Sequence, residues 1–254
     1  MSLLLKNAGI FIGLLLASTL TNASSNLNTY HELQNLKSDV RAAYVFSLIV
    51  DKDARAHPKR NNRIAKIDSL LEKIDNLEGL DEQHRKALSM SMRVYLRSAK
   101  NEAATFDINL GSRTFSNGYS AYSELIEQIY APIQTIQLES EIPKKTIEVF
   151  TLLDKVAAAI ELHGERIIKT QRSKNISQAE LSQMCMSIKK GFENLSKYKD
   201  AKSTIKKASL KWSFIKTPIC NLDKTSAPYT ITHYGSLLAD ILKEYASQDL
   251  AAIK

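Results

Sequence analysis

The chain is poor in glycine and proline, 8 and 5 in 254 residues, which excludes most all-β architectures because these need a turn about every ten residues. It has only two cysteines, Cys185 and Cys220, and no Cys-x-x-Cys pair, so neither a dense disulfide scaffold nor a dithiol redox motif is present. There is no His-Glu-x-x-His, no recurrent Glu-x-x-His, no Gly-x-Ser-x-Gly and no glycine-rich loop ending in Lys-Ser/Thr. The five histidines are scattered at His31, His57, His84, His163 and His233, so no resident metal and no cofactor is expected. Catalysis by a serine, histidine and aspartate drawn from separate helices stays open.

What is present is helix-forming sequence. Hydrophobic residues make up 44% and charged residues 24%, enough to bury a core, so a folded chain is expected rather than a disordered one. The first residues have the three-part layout of a secretory signal: one positive charge at Lys6, an apolar stretch from Ala8 to Leu20, and small residues at Thr21 and Ala23. Cleavage after Ala23 is expected, leaving 24–254 as an exported, periplasmic or secreted chain. The apolar stretch is 13 residues long, short of the ~20 that span hydrocarbon, so no transmembrane helix is expected in the mature chain.

The formal charge of +8 becomes +7 without Lys6 and is carried by 25 lysines against 10 arginines. A basic exported protein is drawn to acidic partners or anionic envelope surfaces. Nucleic acid is not an expected partner, for no nucleic-acid motif occurs. Lysine supplies point charge rather than the bidentate fork of arginine, so solubility is the simpler role for most of these side chains.

Apolar spacing of three and four predicts an all-α, mostly antiparallel bundle of seven or eight helices, as one domain or as two packed halves, 24–110 and 119–254. Leu33, Leu36, Val40, Ala43 and Tyr44 mark the first helix, and His57-Pro58 separates it from the next. Ile64, Ile67, Leu71 and Ile74 form a bundle seam in a second helix over Arg60 to Leu77, ended by Gly79. Asp81 N-caps a third running to Phe106, and 110–118 is expected to be a loop between the halves. A fourth helix over 119–138 contains Pro132, which should kink or split it, and Pro143 opens a fifth. Near the end of that fifth helix, Glu161, His163 and Glu165 are expected to be solvated. Ser177 and Glu180 make a capping box, with Ile176 and Leu181 as its hydrophobic staple, so a sixth helix begins there. Two more follow near 201–216 and 229–245.

The cysteines can be placed by this layout. The sixth helix descends from Cys185 and the seventh climbs back until Pro218, returning Cys220 to the height of Cys185, so a disulfide across an antiparallel hairpin is expected. The same hairpin is the most charged part of the chain. Between Met186 and Lys216 nine lysines face only Glu193 and Asp200, a local net of +7. Ile205, Ala208, Trp212 and Ile215 form one apolar face of the seventh helix, while Leu210 and Phe214 project on nearly the opposite side. Such a helix is either buried between neighbours or carries an exposed apolar patch among lysines. The second case makes Lys206, Lys207, Lys211 and Phe214 a candidate partner surface. Arg93 and Arg97, four apart on one helical face, are a candidate anion grip if that face lines a groove.

Lys211-Trp-Ser-Phe-Ile215, Ala227-Pro-Tyr229 and Thr232-His-Tyr234 resemble the C-terminal end of some exported, all-helical bacterial proteins. The resemblance covers about 35 residues, implies a periplasmic helical protein, and carries over no catalytic residue. More loosely, the pattern is similar to the helical-bundle input domains of chemoreceptors and nitrate sensors. The expected function is therefore a non-enzymatic binding or accessory module, with a small-anion sensor as one alternative and a periplasmic hydrolase or metal-binding protein as another.

Overall fold

The described residues form eight helices, in keeping with the apolar spacing. The computed structural model describes residues 2–50, 52–100, 112–139, 142–167, 175–221 and 227–251, and the side chains of all of these except 2–24, 112–117, 139 and 249–251. In chain order the helices are α1 (Ser2–Ile49), α2 (Ala56–Leu71), α3 (Glu82–Lys100), α4 (Ser112–Glu139), α5 (Lys144–Ile167), α6 (Gln178–Leu195), α7 (Lys202–Cys220) and α8 (Pro228–Ala251). A single 3-10 turn, Ile74–Asn76, follows α2. The described residues contain no strand. Among them, no helix is long and apolar enough to cross a membrane.

Local signals set several boundaries. Ser177 accepts from the Glu180 amide and the Glu180 side chain accepts from the Ser177 amide, closing the capping box that starts α6. Asp81 Oδ1 accepts from the His84 amide at 2.8 Å, satisfying an orphan donor at the start of α3. Gly79, at φ 81°, makes the left-handed turn between the 3-10 segment and α3, a conformation that β-carbon sterics disfavour in other residues.

Other expectations fail. The segment 110–118 is not a loop throughout, because α4 already begins at Ser112; 110 and 111, and the predicted extension of α3 to Phe106, lie outside the described residues. Two prolines sit inside helices without ending them, Pro132 in α4 and Pro218 in α7. Each removes one backbone donor, a local loss that burial of flanking residues such as Ile129, Ile133, Ile215 and Ile219 outweighs.

α1 is the hub. It packs against α2, α4, α5 and α8, while α3 bridges α2 and α4, α6 lies on α5 and α7, and α7 lies on α8. Its described part is accordingly buried nearly all round, with Leu33, Val40, Ala43, Phe46 and Ile49 fully enclosed. One hydrophobic cluster includes residues of all eight helices, so the N-terminal and C-terminal halves share a core. The approach of α8 to α5 is especially close at Gly235, where a β-carbon would stand 2.1 Å from Ile160 Cδ1.

Candidate functional site

The α6–α7 hairpin presents the densest charge on the surface. Cys185 and Cys220 are joined across it, with Cα atoms 6.0 Å apart, as the counter-running helices predict. Eight of the nine lysines there are exposed, and Lys211 is half-buried. The two carboxylates between Met186 and Lys216 are already engaged. Asp200 takes Lys145 Nζ at 2.6 Å and Tyr245 Oη at 2.9 Å, and Glu193 lies 3.8 Å from Lys189. Among the described residues, no carboxylate lies within 4.0 Å of Lys202, Lys206, Lys207, Lys211 or Lys216. The positive field of this face is therefore not cancelled locally.

α7 resolves its two apolar faces in favour of an exposed patch. Ile205, Ala208, Trp212, Ile215 and Ile219 are buried, whereas Leu210 and Phe214 are 56% and 57% exposed. Being four residues apart, these two share one helical face between the lysines. On α6, Met186 is also exposed.

Phe214 ends an aromatic strip that crosses from α7 to α8. Its ring stacks on Tyr234 at 5.2 Å, and Lys211 Nζ lies 5.4 Å from the Tyr234 centroid. His233 stacks on Tyr229 at 5.5 Å, and the Arg55 guanidinium, from the turn between α1 and α2, caps Tyr229 at 4.4 Å. Burial, then the nearby Lys59 and Lys211, hold the His233 pKa below its usual value, so this ring contributes stacking rather than charge at neutral pH. The tyrosines and histidine of the C-terminal resemblance thus gather beside the candidate patch. Arg55 joins from far away in the chain, so no local pattern announces it as a member.

The candidate anion grip is placed differently. Arg93 and Arg97 are exposed on α3, and neither lines a cavity described here. Their face is opposite the buried Leu88, Met92, Tyr95 and Leu96.

The expectation that Glu161, His163 and Glu165 are solvated is overturned. They are 3%, 8% and 1% exposed, on α5, which packs against α1, with Tyr122 reaching over from α4. The reason lies in their partners. Tyr122 donates to Glu161 at 2.8 Å and Tyr44 to Glu165 at 3.2 Å, the two phenol rings being stacked at 4.0 Å. Burial and the adjacent glutamates push both tyrosine pKa values well up, so these hydroxyls remain donors. Arg41 adds charge from α1, 3.9 Å from Glu161, while also donating to the Asp154 carbonyl and the Tyr130 hydroxyl. One turn earlier Lys37, 2% exposed, bonds Asp154 at 2.7 Å.

A second buried network lies on the other side of α1. Arg63 of α2 bonds Asp39 at 2.6 Å and Asp240 at 2.7 Å, and Lys243 of α8 bonds Asp39 at 2.9 Å. In both networks a buried cation, Lys37 or Arg63, is matched by carboxylates, as low-dielectric surroundings demand. Next to the second network, an open groove of about 330 Å³ separates α1, α2 and α8. A smaller cavity of about 30 Å³, mostly apolar, lies between α1, α5 and α8. Among the described residues, no three His, Cys, Asp or Glu side chains converge as a metal site.

Compared with known protein families, curated proteins and solved structures, the chain matches none.

Proposed function

We propose that this protein is an exported, non-enzymatic binding module that docks on an anionic lipid surface of the cell envelope through α7. The observation that carries the proposal is the exposure of Leu210 and Phe214 on one face, between the uncancelled charges of Lys206, Lys207 and Lys211. Point-charge lysines contribute about 1 kcal/mol each near an anionic membrane, and apolar side chains among them insert at the head-group boundary. An acidic protein partner is the competing occupant. It is less favoured because protein carboxylates are best gripped by arginine forks, and α7 has no arginine. Export is supported by the layout of residues 1–23 and by the Cys185–Cys220 bridge, which suits an oxidising compartment.

Vesicle co-sedimentation tests the docking. Vesicles containing phosphatidylglycerol should retain the protein at low salt, and neutral phosphatidylcholine vesicles should not. The double variants K206E/K207E and L210A/F214A should each release it. Equal retention on both vesicle types, or retention unchanged in both variants, overturns the lipid reading, and salt-sensitive capture by an acidic protein alone would do the same. The mass of the mature chain should correspond to cleavage after Ala23.

A further inference from the structure

The groove between α1, α2 and α8 has a charge arrangement that the lysine-rich surface does not share. Its charged end is self-contained: Asp39 and Asp240 are matched by Arg63 and Lys243, a quartet with no net charge. Four further charges line or rim the groove outside that quartet. Lys66 comes from α2 and Lys73 from the turn just past its end, whereas Glu32 comes from α1 and Glu244 from α8. Among the described residues, none of these four has an oppositely charged group within 4.0 Å. Outside the quartet, positive charge therefore stands along α2 and just past its end, and negative charge on α1 and α8. Leu36, Ile67 and Leu70 supply an apolar floor between them.

We propose that this groove binds a free α-amino acid with an apolar side chain. A zwitterion answers both walls at once, its carboxylate toward Lys66 and Lys73 and its ammonium toward Glu32 and Glu244. A simple anion meets the glutamates and a simple cation meets the lysines, so either leaves one wall opposed. The volume agrees with a small ligand, about 330 Å³ being at the lower end of the roughly 300–1,000 Å³ typical of ligand pockets. Leu70, the half-buried member of that floor, still reaches water, and covering it favours an apolar side chain.

Isothermal titration of the purified protein with L-leucine, L-isoleucine, L-valine and L-phenylalanine tests the assignment. At least one should bind saturably, and the N-acetyl and carboxamide forms of that amino acid should bind at least about tenfold more weakly, roughly 1.4 kcal/mol for each lost charge contact. K66A/K73A and E32Q/E244Q should each weaken binding by a similar factor. Lys66, Lys73 and Glu244 are exposed and Glu32 is half-buried, so melting temperatures should be unchanged. No heat from any of the four at millimolar concentration overturns the proposal, and so does equal binding of the N-acetyl form. Anionic-vesicle binding should be unaffected by these variants, so failure here and failure of the lipid reading are separable.

Discussion

α1 and α7 carry similar charged side chains and put them to opposite uses. Lys37, Asp39 and Arg41 fall within five residues of the central helix; the first two are buried, Arg41 is mostly so, and each is engaged with a neighbouring helix. Lys206, Lys207 and Lys211 fall within six residues of α7, and none has a carboxylate within ion-pair distance among the described residues. The difference is how much of each helix is covered. A helix enclosed nearly all round desolvates its charges and must match them, whereas a helix covered along one face leaves its outer lysines to water or to a partner. In α1 charge fixes which helix lies where; in α7 it makes a surface field.

The sharpest way to break this contrast is to remove one member of a matched pair. Asp154→Ala strands the Lys37 ammonium in the core and should lower stability by about 3–5 kcal/mol in urea unfolding, while the double change K37M/D154L should recover much of the loss. If D154A proves neutral, the buried network does not hold the helices. The hairpin, by contrast, leans on covalent closure. C185S/C220S should destabilise by about 4 kcal/mol in the chain-entropy account, measured against the oxidised protein under the same conditions.

Acid should act on the core and spare the patch. Burial, with Arg166 beside it, lowers the His163 pKa to about 4, so the folded protein resists protonating this ring while the unfolded chain takes the proton near its usual 6.5. This contribution is fully present above that unfolded value and is lost as pH falls toward about 4, at a total of about 3 kcal/mol. Unfolding titrations of wild type and His163→Gln across this window should differ in slope, the variant being flatter. Gly235→Ala should cost less, about 1–3 kcal/mol, because Ile160 Cδ1 must move from the space a methyl needs. Smallest of all, K206E/K207E should change stability by no more than about 0.5 kcal/mol while abolishing vesicle binding.

Much of the helical frame was legible in sequence because its determinants are local. The Ser177–Glu180 box and the Asp81 cap depend on residues a few positions apart and are found as expected, whereas the seam of the second helix holds only through Ile64 and Ile67, because that helix ends at Leu71 and Ile74 is buried from a separate 3-10 turn. The boundaries at 112 and 218 were misplaced because glycine content and proline are weak local penalties that burial overrides. The solvated reading of Glu161, His163 and Glu165 failed for a different reason: Tyr122 and Tyr44, which receive the two carboxylates, are 39 and 121 residues away in the chain. No pattern within α5 announces partners at that distance.

The sequence by itself therefore determined the all-α class, the cap-defined helix starts, the counter-running hairpin that joins Cys185 to Cys220, and the excess of lysine upon it. Only the tertiary structure decided that α1 is the hub, that Leu210 and Phe214 face outward, and that Lys66 and Lys73 confront Glu32 and Glu244 across a groove. Helix periodicity is a short-range property of the backbone, readable within a turn or two. Exposure and charge pairing depend on which helices become neighbours, and that is settled by the packing of the whole core.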